Sequence, residues 1–132
     1  MKVLVLNLPL PPSTNNLFVN VPKRGRVKSR EYKRWSIAAL NYAWLSKPQG
    51  GFPRFEGAFD IQITLPLKMR GDITNRIKAV EDWLKKPAGI VSDDKHTHKA
   101  TVARGSDVEP GFCRVHVFET PTARDEERRD VA

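Results

Sequence analysis

The chain has 132 residues, and 23 Lys and Arg against 15 Asp and Glu give a formal charge of +8, so one compact domain with a polyanionic partner, nucleic acid first, is expected. A single cysteine, Cys113, excludes an internal disulfide framework and fits a reducing, cytoplasmic compartment. There is no run of about 18 apolar residues, and Met1-Lys2-Val3-Leu4-Val5-Leu6 meets Asn7 too early for a signal peptide, so neither a membrane span nor a leader is expected.

Val3-Leu4-Val5-Leu6-Asn7-Leu8 is nearly continuous in apolar residues, which predicts a short strand covered on both faces, and Pro9-Leu10-Pro11-Pro12 stops it. Ser13-Thr14-Asn15-Asn16 then offers the side chains of turns, suited to binding loose backbone amides. Val19 to Val27 reads as a small hairpin turning at Arg24-Gly25, and Ser29 as the N-cap of a helix that starts near Arg30 and runs through Ser46. Lys23, Arg24, Arg26, Lys28, Arg30, Lys33 and Arg34 make this the densest basic stretch. Its expected role is to contact phosphate rather than to read bases, and the plainer alternative is a solvated face.

Within that helix Trp35, Ala39, Tyr42 and Ala43 share a stripe, with Ile37, Leu40 and Trp44 nearby, an apolar surface wide enough to require burial. Core packing accounts for its aromatics, and base stacking by Trp35 or Trp44 is the lesser alternative. Lys47 to Phe52 and Pro53 make a loop, after which Phe59, Ile61, Ile63, Leu65 and Leu67 alternate with Asp60, Gln62 and Thr64 as in a strand with one face on the core. That strand leads into Lys68-Met69-Arg70-Gly71-Asp72. A carboxylate between a strand end and a helix start either projects into a cleft or caps the helix, and position alone supports both.

Ile73, Ile77, Val80 and Leu84 recur at helical spacing and predict the buried stripe of a helix from about Thr74 to Lys86. Thr74, Asn75, Lys78 and Asp82 fall on a stripe roughly opposite, where a Lys78–Asp82 pair would be a sufficient structural explanation of both residues. Pro87-Ala88-Gly89 closes the helix, and Ile90-Val91 reads as a short strand that returns Ser92-Asp93-Asp94 toward Asp72. Strand periodicity sends Asp93 and Asp94 to opposite faces, so one of them faces the cleft. His96 and His98 with Asp94 would make a zinc set only with further ligands, and none is evident. Lys99 to Arg104 and Phe112 to Glu119 predict two more strands, with Cys113 a small core residue. Residues 121–132 are charged and apolar-poor, as in a disordered tail behind a domain spanning 1–120.

These residues carry a family resemblance. Pro9-Leu10-Pro11-Pro12-Ser13-Thr14-Asn15-Asn16, then Ser29-Arg30-Glu31-Tyr32-Lys33-Arg34-Trp35, then Asp72 through Leu84, then Asp93-Asp94 form an ordered set. The set resembles the RusA family of Holliday-junction resolvases, small endonucleases of bacteria and prophages. The most specific piece is similar to the family's Asp-x-Asp-Asn-x-x-Lys helix. The resemblance implies an α+β single domain, a mixed β-sheet packed by two main helices, acting as a homodimer on branched, four-way DNA in recombination and repair. It also implies Mg²⁺-dependent phosphodiester hydrolysis, with Mn²⁺ as a substitute ion.

By the same resemblance Asp72 matches the first metal carboxylate, Lys78 the catalytic lysine and Asp94 the carboxylate after the short strand, with Asp93 beside it as a further metal ligand. Thr74, Asn75 and Asp82 would support them, and Arg70 and Arg76 would join the basic stretch in holding DNA. Thr74 stands where the family pattern has its second Asp. Losing that charge weakens Mg²⁺ binding, although Mg²⁺ needs only one or two carboxylates plus substrate phosphate. The alternative implied is a junction-binding protein of the same fold with weakened catalysis.

Overall fold

The computed structural model describes residues 2–121, with Asp94 followed by its backbone alone, so the expected tail falls outside the described residues except for Pro121. The described chain is an α+β domain with a mixed sheet and two helices, in agreement with the expected class. The elements are β1 (Val3–Pro9), β2 (Phe18–Val21), β3 (Gly25–Lys28), α1 (Arg30–Leu45), β4 (Phe59–Pro66), α2 (Ile77–Lys85), β5 (Thr97–Gly105) and β6 (Phe112–Glu119). Four strands form one sheet in the order β1-β6-β4-β5, antiparallel except for the parallel β4–β5 pair, and β2–β3 is a separate hairpin.

Register explains the core. Leu4, Leu6 and Leu8 face Val117, Val115 and Cys113 across β1–β6, and Ile61 and Ile63 face Val117 and Val115 across β4–β6. One sheet face is therefore apolar, and it is sealed by Tyr32, Trp35, Ala39 and Ala43 of α1 and by Ala79, Val80, Trp83 and Leu84 of α2. Two indole N–H groups tie this layer together: Trp35 Nε1 donates to Pro9 O at 2.8 Å and Trp83 Nε1 to Ser36 O at 3.2 Å. Burial pushes the Cys113 thiol up to about 12, so it is a core residue as expected.

Several expectations are corrected. Covering of β1 on both faces fails, because burial alternates along it, with Leu4, Leu6 and Leu8 in the core and Val3 and Val5 about half exposed. The hairpin turns at Pro22–Arg24, where Lys23 takes a positive φ of 67°, one residue earlier than expected. On α1, Trp35, Ala39 and Ala43 are buried, but Ile37, Trp44 and Leu45 are exposed and Tyr42 only edges Phe112. The helix expected from Thr74 begins as a 3₁₀ turn, Ile73–Arg76, and becomes α-helical at Ile77. Its buried stripe is Ala79, Val80, Trp83 and Leu84, while Ile73 and Ile77 are only partly covered. Ile90–Val91 makes one isolated bridge, Phe55 to Val91, instead of a strand.

Candidate functional site

β4 ends at Pro66 with its side chains locked into the core, and the chain leaves it through Leu67–Gly71 over the sheet end. Gly71 takes φ 95°, a left-handed conformation that side-chain-bearing residues rarely adopt, and this turns the backbone into Asp72. Asp72 is exposed and extended, and its Oδ1 accepts from the Thr74 backbone N–H at 2.9 Å and from the Thr74 hydroxyl at 2.7 Å. It therefore caps the turn, one of the two readings that position alone left open, while remaining open to solvent. The Thr74 hydroxyl, then the Thr74 N–H, then the Arg104 charge hold the Asp72 carboxyl below its ordinary value of 3.8.

Arg104 comes from the far end of β5. Parallel pairing puts it on the core-facing side of the sheet edge, level with Leu65, and it donates to Gly71 O at 3.0 Å and Met69 O at 3.4 Å. It both braces the loop and supplies positive charge beside Asp72. The sequence reading missed it, because a basic residue at a strand end carries no local signal of which loop it will reach.

One turn further in, Lys78 Nζ lies 3.1 Å from Asp82 Oδ1, the i,i+4 pair that helical spacing anticipated. Asp82 also adds its charge to burial at Tyr32, whose phenol is pushed up to about 12, burial first. Asp93 Oδ1 lies 3.6 Å from Lys85 Nζ and accepts from the Lys95 N–H at 3.1 Å. No group of three His, Cys, Asp or Glu side chains placed to hold a metal occurs among the described residues, which do not include the side chain of Asp94. Of the zinc set weighed from sequence, His98 has its Nδ1 3.1 Å from Asp60 Oδ1.

The basic residues divide by role. Arg76 is half-buried and donates from Nη1 to Pro11 O at 2.6 Å, so it fastens the loop after β1 rather than standing out as a DNA contact. Lys23, Arg24, Arg26 and Lys28 on the hairpin, Arg30, Lys33 and Arg34 on the first turns of α1, and Arg70 beside Asp72 are all exposed. The Arg26 guanidinium sits 4.4 Å from the Phe18 ring centre and the Lys28 ammonium 5.3 Å from that of Tyr32, which orients both side chains. Trp35 is buried, whereas Trp44 is exposed with Lys47 over its ring at 4.1 Å.

One loop, Pro11–Leu17, joins these parts. Thr14 Oγ1 donates to Asn75 O at 3.0 Å, Ser29 Oγ to Asn16 O at 2.6 Å, and Ser29 N to Leu17 O at 2.8 Å. Ser29 also caps α1 as expected, accepting from Tyr32 N at 3.1 Å. The turn bearing Asp72 and the root of the basic hairpin are thereby pinned to the same short segment. No protein-family model matches this chain, and no curated protein matches it with significance. None of its described helices is long and apolar enough to cross a membrane.

Proposed function

We propose that this chain is a metal-dependent, structure-selective endodeoxyribonuclease of the RusA type, acting as a homodimer on four-way DNA junctions. The observation that carries the reading is the pinning just described. An exposed, ionised Asp72 with Lys78 one turn behind it is anchored through Thr14 and Ser29 to a hairpin dense in Lys and Arg. An isolated helix cap would need no such neighbourhood.

A divalent ion fits the donors present only as a site of few carboxylates. Asp72 is an anionic oxygen donor exposed to solvent, of the kind Mg²⁺ accepts, and one or two carboxylates suffice when phosphate completes the shell. Asp72 and Asp94 would hold the ion, with Asp93 or the Thr74 hydroxyl assisting. When bound, Mg²⁺ polarises the scissile phosphate and lowers the pKa of an attacking water.

The chain's own residues do the rest. The Thr74 hydroxyl and N–H fix one oxygen of Asp72, whose side chain is exposed to solvent. The Lys78 ammonium, oriented by Asp82, stabilises negative charge that grows on the phosphate as the water oxygen bonds to phosphorus and the strand oxygen departs. Arg26, Lys28, Arg30, Lys33 and Arg34 grip the flanking backbone. Two copies related by a two-fold axis would place two equivalent nicks on a nearly symmetric junction. The test is cleavage of an end-labelled synthetic junction in Mg²⁺: paired nicks are expected and are lost in Asp72→Asn, whereas no cleavage in Mg²⁺ or Mn²⁺ overturns the enzyme.

A second reading, a junction-binding protein with weakened catalysis, has its own observation. Thr74 occupies the position of a second carboxylate and spends its hydroxyl on Asp72, and the described residues contain no three-acid group. An inactive parent that gains cleavage in Thr74→Asp would favour this reading over the first.

A further inference from the structure

We propose that the cleft between the 3₁₀ turn Thr14–Asn16 and the β2–β3 hairpin is a nucleotide subsite. It would hold one unpaired nucleotide, with its base edge at the Asn15 and Asn20 amides and its phosphate at Arg26. The inference rests on the nucleic-acid reading above and adds a base-selecting element to it.

Strand geometry builds the cleft. Phe18 and Asn20 are two apart on β2, Arg26 and Lys28 two apart on β3, and the register sets Asn20 opposite Arg26 and Phe18 opposite Lys28. Side chains two apart share a face, so these four line one side of the ribbon, and Val19 and Val27 line the other. Thr14 and Asn15 form the opposing wall. The space they enclose with Phe18, Asn20 and Arg26 is about 390 Å³, within the range that takes small ligands.

The lining chemistry is selective. No acidic side chain lines the cleft, so an anion is not repelled. Arg26 lies against the Phe18 ring, which is itself held edge-on to Tyr32 at 5.9 Å between centres, so the guanidinium is kept at the cleft wall. Asn15 and Asn20 are exposed, and no hydrogen bond among the described residues uses either side-chain amide. Two amides, each offering a donor and an acceptor, match the edge of a base, whereas phosphate uses donors only. Unpaired bases are the ones whose edges are accessible to such groups. Thr14, through its bond to Asn75 O, ties this wall to the turn that carries Asp72, so a nucleotide held here is coupled to the candidate chemistry.

The experiment uses the full chain and fluorescein-labelled four-way junctions that differ only in one unpaired nucleotide at the crossover, A, C, G or T. Binding is read by anisotropy in EDTA over a salt series, so cleavage plays no part. The parent should discriminate among the four by about tenfold. Asn15→Ala/Asn20→Ala should reduce that to under about twofold with an unchanged salt slope, and Arg26→Ala should weaken all four alike and lower the slope by about 1. Equal binding of the four by the parent, or undiminished discrimination by the double variant, overturns the subsite alone. No binding to any junction at low salt overturns the nucleic-acid reading along with it.

Discussion

Two aspartates, Asp72 and Asp60, each anchor a small polar group, and the contrast between them separates a carboxylate suited to chemistry from one spent on structure. Asp60 is 6% exposed, and one of its oxygens takes both the Thr120 hydroxyl at 2.9 Å and the His98 ring nitrogen at 3.1 Å. Those partners come from β5 and from beyond β6, so Asp60 clips distant segments together. Asp72 is held by its near neighbour Thr74 alone, two residues on, and stays open on its outer side. Both are held through one oxygen, so exposure makes the difference: the buried carboxylate is closed to an incoming ligand, whereas the exposed one can still meet it.

The same Asp→Asn change at both positions tests that contrast most severely. Asp72→Asn should cut junction cleavage by about 10³-fold, roughly 4 kcal/mol in the barrier, with little change in unfolding midpoint because Asn also caps well. Asp60→Asn should leave cleavage per folded molecule unchanged and lower stability by about 1–3 kcal/mol in urea titrations, through the loss of hydrogen bonds to a charged acceptor. If Asp60→Asn abolished cleavage in a fully folded protein, the division between the two aspartates would be wrong.

A milder version uses the two lysines paired to carboxylates along α2. Lys78→Ala should lower the cleavage rate by about 10²-fold, while its pair with Asp82, largely exposed, contributes only a few tenths of a kcal/mol. Lys85→Ala, which breaks the equally exposed pair with Asp93, should leave the rate within about twofold. Equal losses at the two lysines would assign both to general attraction for DNA, and the salt dependence of binding would then show it.

Periodicity made much of this arrangement legible. The core side of the alternation as far as Leu65, the Ser29 cap and the Lys78–Asp82 spacing all report local geometry and are found, whereas Leu67 lies exposed beyond β4 and Asp60, on the polar side, is buried. What stayed hidden depends on partners distant in sequence. A run such as Val3-Leu4-Val5-Leu6 looks the same whether one face or two are covered, and only the layer that packs on the sheet, here on the Leu4 and Leu6 side, decides it. Arg76 looked like a surface cation until its reach to Pro11, 65 residues away, fixed it as a brace. Asp93 carried no local sign of its contact with Lys85, eight residues back on α2. Ile73 and Ile77 fit the helical stripe by number but lie where the backbone is still 3₁₀ or only beginning to be α-helical, and the changed pitch turns them partly outward.

The smallest effect concerns Thr74, and it bears on why Asp72 differs from Asp60 at all. The Thr74 hydroxyl is the largest cause of the lowered Asp72 pKa, so Thr74→Val, which keeps the shape and removes the donor, should raise it toward 3.8. The rise should be incomplete, because the backbone N–H of residue 74 and the charge of Arg104 still favour the ionised form. The sign for stability follows from linkage. A carboxyl whose folded pKa is depressed stabilises the fold above its unfolded value, and that contribution disappears as pH falls through the folded value. The parent's linkage advantage over Thr74→Val should therefore be present at neutral pH and be lost as the pH falls through the depressed folded value, remaining small throughout because Asp72 is fully exposed. A ¹³C carboxyl titration of Asp72 in both proteins measures the shift directly. An unchanged titration would mean that the backbone N–H and the Arg104 charge hold the carboxylate without the Thr74 hydroxyl.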